Sequence, residues 1–275
     1  MVQTVDSAVL IPQRVALEGR PFEGNTKEEA LRKLLDNGFS PVYMPEIIDG
    51  RNEYSPKESP QNWQWLHAPS IKATGRTRGG TPVVIYAHAP NYLSNPDNIA
   101  RAHQQGFING AGILPNVEFL GLVDLAEEQE GKDDQRVFKV DYNDLRKAPS
   151  GLVKVSNALK HPQTIPFIGG RQRAEAYLPR HEHFLGKQIG IWQVDDLTDQ
   201  PVGRVLYVGD SNDNGLGSYG DLYGKARFVG VRSFGAEGAA AQKLDLERTV
   251  RILDGLLAPA NIPQVRERLT AAGYR

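Results

Sequence analysis

Residues 187–232, KQIGIWQVDDLTDQPVGRVLYVGDSNDNGLGSYGDLYGKARFVGVR, decide how this chain is read. The apolar run 204–208 enters a loop made almost wholly of Gly, Asn, Asp, Ser and Tyr, and a second apolar run, 226–232, closes it. The loop is too long and too biased to be a hairpin turn. Loops of this chemistry, held between rigid strands, are commonly where a protein meets a ligand. The spacing predicts that 188–194, 204–208 and 226–232 are neighbouring antiparallel strands with Trp192 packed in the core.

The whole chain frames that reading. Its 275 residues suffice for a single domain with a core of its own. A hydrophobic fraction of 40% and a charged fraction of 24% are those of an ordinary globular protein. The net charge of −1 gives no electrostatic drive toward nucleic acid or an anionic membrane. Without cysteine there are no disulfides, no thiolate zinc sites and no cysteine nucleophiles. No basic, apolar leader opens the sequence and no run approaches 18 apolar residues, so neither a signal peptide nor membrane insertion is expected, and the cytoplasm is the default compartment.

Outside the diagnostic stretch, residues 7–17 read as a strand interrupted at Pro12. Thr26 and Glu29 form a capping box ahead of an amphipathic helix bearing Leu31, Leu34 and Leu35, which Gly38 ends. Residues 50–81 read as a long polar loop carrying Trp63 and Trp65. TPVVIYA, 81–87, reads as a buried strand, 98–105 as a short helix, and 117–125 as a strand pairing with 136–140. An Asp-capped helix is expected at 141–147, while 151–159 is ambiguous; 171–183 starts helical and breaks at Pro179. Leu246, Val250, Leu253 and Leu257 recur at helical spacing near the C-terminus, and a last short helix is expected at 264–272. The expected organisation is one α+β domain over 1–235, with a helical extension over 236–275 packed on it.

Three motif readings compete for the loop. Gly215-Leu216-Gly217-Ser218-Tyr219-Gly220 matches G-x-G-x-x-G, but a phosphate cradle needs a helix to follow, and here a strand follows. Asp210, Asn212, Asn214, Gly215 and Asp221 fall at positions 1, 3, 5, 6 and 12 of a calcium-loop pattern, which makes calcium the one cofactor candidate. The third reading is a recognition surface: Tyr offers contact area at small entropic cost, and small polar residues adapt their hydrogen bonds.

The segments Gly190-Ile191-Trp192, Asp195-Asp196, Gly203-Arg204-Val205-Leu206, Gly209-x-Ser211-x-x-x-Gly215 and Ala226-Arg227-Phe228-Val229-Gly230-Val231-Arg232 resemble the C-terminal part of C-type lectin-like domains. The nearest type is that of formylglycine-generating enzymes and of the variable proteins of diversity-generating retroelements. The resemblance covers about 46 of 275 residues. Tyr207-Val208 stand where the family pattern has Arg-Gly, Asp210 is an insertion, and Asn212 falls where its Trp would be. The resemblance implies a C-type lectin-like fold: a small antiparallel sheet, flanking helices and long loops. The family's oxidases work through cysteines, which this chain lacks, so what is implied is binding of a protein or glycan. The candidate ligand-binding residues are Asp210, Asn212, Asp213, Asn214, Ser218, Tyr219, Asp221 and Tyr223.

The alternative is a metal-dependent hydrolase. His181 and His183 on a strand would face one side and could share an ion, with His88 nearby and His161 or Asp195 as third ligand. The simpler readings are a solvated turn after Pro179 and, for His88, a hydrogen-bonded strand end. Asp195 and Asp196 read as a polar turn rather than an acid/base pair. No G-x-S-x-G, Walker A, H-E-x-x-H or kinase signature occurs.

Overall fold

The computed structural model describes residues 15–194, 196–212 and 215–232. Of the strand expected at 7–17, residues 7–14 lie outside the described residues and 15–17 are helical instead; the helices expected at 236–257 and 264–272 lie outside the described residues. A compact unit ends at Val231.

In chain order the elements begin with β1 (Arg20–Gly24), α1 (Lys27–Asp36), β2 (Phe39–Pro41), α2 (Met44–Glu53), β3 (Leu66–Arg76) and β4 (Pro82–Ala87). There follow α3 (Pro96–Gln105), β5 (Gly112–Ile113), α4 (Asn116–Gln129), β6 (Val137–Asp141), α5 (Tyr142–Lys147), β7 (Gly151–Lys154), α6 (Val155–Ala158) and α7 (Thr164–Ile168). The chain then forms α8 (Arg171–Phe184), β8 (Gln188–Gln193), β9 (Val202–Val208), β10 (Leu216–Ser218) and β11 (Ala226–Arg232).

The strands make one mixed sheet in the order β1-β11-β3-β9-β10-β8-β7, with β2 on β11, β4 on β3, β6 on β4 and β5 on β9. The long β3 is its axis. On one side it pairs with β9 from Leu66↔Val208 to Thr74↔Val202, with a bulge between Ala68 and Ile71. On the other side β11 meets its first half at His67, and β4 pairs with Ile71 through Arg76. The bulge falls where Pro69 cannot donate to the ladder.

Both faces of the sheet are covered. Leu66, Ala68, Tyr86, Ile191 and Leu206 face a core completed by Ile47 and Ile48 of α2, Phe167 of α7, and Tyr177 and Leu178 of α8. Ile71, Ala73, Ile85 and Val205 face a second core with Leu31 and Leu34 of α1, Ile99 of α3, and Phe119, Leu122 and Val123 of α4. Burial on two faces, summed over these side chains, is the main stabilising term.

Several expectations are corrected. Strands 188–193, 202–208 and 226–232 lie in one sheet but are not adjacent: β10 separates β8 from β9, and β3 separates β9 from β11. Trp192 is half-buried, not core. The supposed loop 50–81 contains the end of α2 and all of β3. Residues 117–125 are helical in α4, and β6 pairs with β4 instead. Pro179 lies within an unbroken α8, whose Ala174, Tyr177, Leu178 and His181 are buried; packing outweighs the lost backbone donor. Thr26 does cap α1, accepting from Glu29 N at 3.1 Å, while the Glu29 carboxylate accepts from Asn25 N at 2.8 Å. Asp141 caps α5 as expected, accepting from Asn143 N and Asp144 N.

Candidate functional site

The loop of interest grows from the β9–β10 hairpin. Gly209 N donates to Gly215 O at 2.8 Å and closes its base, and Gly190 N of β8 donates to Asn212 O at 2.6 Å. Arg51, fully buried on α2, braces the same base. Its guanidinium donates to Gly209 O at 2.8 Å, Asn62 O at 2.8 Å and Gln64 O at 2.7 Å. One buried cation thus joins α2, the 62–64 segment and the hairpin. Gly215 and Gly217 are required by close approach: a Cβ at 215 would run into Gly190 O, and one at 217 would run into the Tyr207 ring.

Aromatic rings lie in series over this frame. Trp65 packs against Tyr207 at 6.1 Å between centroids, Tyr207 against Tyr219 at 5.8 Å, and Tyr219 against Trp192 at 6.1 Å. Beyond Asp221, Tyr223 meets Phe107 at 5.6 Å, and Phe107 stacks on His103 at 5.2 Å. Tyr219 is 38% exposed and Tyr223 51%, whereas Tyr207 is buried. Burial, and after it the contact with Tyr219, pushes the Tyr207 hydroxyl well above the ordinary tyrosine range, so it stays neutral.

The ends of this surface rest on charged groups. Asp221, partly exposed, lies 3.3 Å from Arg204 Nη1, which also donates to Tyr219 O at 2.9 Å. Lys27, at the start of α1, donates to Gly224 O at 3.2 Å and Lys225 O at 3.1 Å. Burial lowers its ammonium to about 8, against the opposing attraction of Asp221. Beneath Trp65, His67 is wholly buried and desolvation holds it neutral.

The predicted site residues separate into groups. Asp210, Tyr219 and Tyr223 are exposed, and Asn212 and Asp221 are partly so. Ser218 is a correction: it is wholly buried, its hydroxyl 3.0 Å from Gln163 Oε1 and 3.1 Å from Trp192 O, and it belongs to the frame. Asp213 and Asn214 lie outside the described residues. Sequence reasoning did not find Trp65, Phe107, Lys27 or Arg51. Trp65 carried a signal, but it stands in a stretch whose polar composition reads as loop.

The calcium pattern does not survive the geometry. The extended strand Leu216–Ser218 stands between Gly215 and Asp221, and Asp221, the pattern's last ligand, faces Arg204. The same strand removes the phosphate cradle, because no helix follows the glycines. The histidine pair fails as well. His181 and His183 are on a helix, two residues and about 200° apart, so they point to opposite sides. His181 is buried against Gln188 O at 3.0 Å, and desolvation lowers its imidazole to about 4. His88 is bonded to Pro166 O at 2.7 Å, and burial lowers it to about 3. Among the described residues, no three His, Asp or Glu side chains converge as a metal site. Nor is any described helix long and apolar enough to cross a membrane.

An α+β frame carrying an exposed aromatic and polar loop surface defines a lectin-like architecture. A solved structure described as "Accommodation of massive sequence variation in Nanoarchaeota by the C-type lectin fold" is similar to this chain, with a TM-score of 0.71 and 45% identity over 78% of this chain and 97% of that one. The chain belongs to this family of C-type lectin-fold proteins. Family models and curated proteins give no significant match.

Proposed function

We propose that this protein is a non-catalytic binding protein that recognises a protein or glycan ligand through the surface of residues 209–224. Within the C-type lectin-like family it is of the variable-protein type served by diversity-generating retroelements. The observation that supports this most directly is the contrast between Tyr219 and Tyr223, which are exposed, and the residues under them, which are buried and bonded. Side chains at Asp210, Asn212, Tyr219 and Tyr223 can change without opening the core. The nanoarchaeal structure, whose description speaks of massive sequence variation on this fold, supports the same reading.

Two experiments test it. Wild type and the double variant Tyr219→Ala/Tyr223→Ala are applied to glycan and protein arrays. Signals specific to wild type are expected, because aromatic anchors carry most of an interface's energy; identical signals refute the reading. A display library randomised at Asp210, Asn212, Tyr219 and Tyr223 should remain folded in most members, and a library that is mostly unfolded refutes it too.

A further inference from the structure

The sheet ends on one side at β7, which pairs with β8 from Gly151↔Ile191 to Lys154↔Gln188. Val155 N donates to Lys187 O at 3.0 Å, which continues that register by one pair. In an antiparallel ladder, hydrogen-bonded pairs alternate with pairs whose backbone groups point away from the partner strand. The residues bonded across to β8 are therefore Gly151, Val153 and Val155. The N–H groups of Leu152 and Lys154, and the Leu152 carbonyl, point outward, where no described strand pairs with them. Leu152 also leaves a large apolar side chain 48% exposed on this edge. An open edge of this kind is a template for another strand.

Cations surround it. From 145 to 174 the chain has six Lys or Arg and no Asp or Glu, although its overall charge is −1. Arg146 and Lys147 end α5, and the Gln193 amide, donating to Leu145 O at 2.7 Å and Ala148 O at 3.3 Å, holds that end beside β8. Lys154 ends β7, and Lys187 lies across from Val155. Lys160 precedes His161, whose Nε2 is 3.1 Å from Pro149 O. All five are exposed, and none forms an ion pair with a described residue. The elements framing the edge, α5, β7, α6 and β8, carry Asp144 as their one acid.

This charge selects the occupant. Two copies of the edge would set cation against cation, so self-pairing is opposed. Single-stranded nucleic acid is held largely by stacking on aromatic rings, and residues 143–166 contain no Phe, Tyr or Trp. Leu152 alone offers little apolar area to a lipid surface. A peptide strand bearing carboxylates satisfies the backbone groups and the cations together.

We propose that β7 is a docking edge for an extended acidic segment of a partner protein, which adds to the sheet as a strand. The segment's backbone accepts from the Leu152 and Lys154 N–H groups and donates to the Leu152 carbonyl. An apolar residue lies across from Leu152. Acidic residues toward its ends meet Arg146 and Lys147 on one side and Lys154 and Lys187 on the other. This edge is independent of the recognition surface of residues 209–224.

The test measures fluorescence anisotropy of a labelled nine-residue peptide with a Val-Thr-Leu-Thr-Val centre and two Glu at each end. The same peptide with Lys for Glu, and the acidic peptide N-methylated along its centre, are the controls. The acidic peptide should bind saturably and more weakly as salt rises; the controls should bind at least about tenfold more weakly. Lys154 has φ −60°, the value a proline ring fixes, so Lys154→Pro removes an outward N–H and leaves the ladder to β8 intact. It should weaken binding about tenfold, and more than Lys154→Ala does. Lys147→Gln/Lys187→Gln should weaken binding several-fold and flatten its salt dependence. No binding of the acidic peptide, or equal binding of either control, overturns the proposal. So does binding of oligo-dT or phosphatidylserine vesicles where the acidic peptide does not bind. If Lys154→Pro fails to fold, full affinity in Lys147→Gln/Lys187→Gln overturns it.

Discussion

Lys72 and Arg204 stand directly opposite each other on paired strands in the middle of the sheet, and both reach the same carboxylate, that of Asp196. Like charges in direct cross-strand register repel. Here both are almost fully buried, which raises the cost, and Asp196 between them turns repulsion into a bonded triad. Arg204 Nε donates to Asp196 at 2.9 Å and Lys72 Nζ at 3.2 Å. The triad ties β3 and β9 to the segment after β8, and Arg204 continues from it to Tyr219 O and Asp221.

Asp196→Asn should therefore be one of the most damaging single changes in the chain. Removing one partner from a buried ionic group costs about 3–5 kcal/mol, because the remaining charge is left uncompensated. Combining it with Lys72→Met should recover part of that loss. Urea unfolding of the two variants measures both; a loss below about 1 kcal/mol for Asp196→Asn would show that the triad is not needed.

Lys27 predicts a pH dependence. Its ammonium is at about 8 in the fold against 10.5 ordinarily. Between those values the unfolded chain holds a proton that the folded chain has released, so stability rises with pH across this window and levels off above it. The rise should be at most about 3.5 kcal/mol, because each pH unit crossed in this window adds no more than roughly 1.4 kcal/mol. Subtracting the profile of Lys27→Met from that of wild type isolates it. A flat difference between pH 8 and 10.5, or one that falls, would contradict the assignment.

Exposed and buried rings of one surface should separate cleanly. Tyr223→Ala should change stability by no more than about 0.5 kcal/mol, as surface changes do. Tyr207→Ala should cost about 3–5 kcal/mol, as for other large-to-small core changes. Thermal melts of the pair decide it, and equal losses would mean that the surface and its frame are not distinct.

Gly217→Ala should destabilise by about 1–3 kcal/mol through overpacking, because its Cβ would enter the space of the Tyr207 ring. The ring would be pushed toward Tyr219, so the near-ultraviolet circular dichroism of the aromatics should change along with the melting temperature. An unaltered spectrum would show that the ring has room to move.

Much of the local structure was legible in the sequence because its causes are local. Thr26 and Asp141 cap the helices they announce, and TPVVIYA lies in a buried strand; the segment 209–224, read as one loop, instead holds the buried strand β10 between its exposed ends. The resemblance carried by residues 187–232 pointed to the lectin-like fold. Tertiary packing decided the rest. β3 is invisible as a strand because His67, Ser70, Lys72 and Thr74 alternate with its apolar residues and suggest a wet surface. They are buried only because distant segments accompany them, such as Asp196 for Lys72 and the Met44 backbone for Ser70. The dense apolar residues of 117–125 fit a strand or a helix by composition, and packing against the second core makes them helical. Two histidines spaced for a strand lost their common side once that segment was helical. Sequence determined which segments could be buried and where the chain turns. Which charges meet, which strands lie side by side and which tyrosines reach solvent follow from contacts between residues far apart in the chain, whose energies no single segment contains.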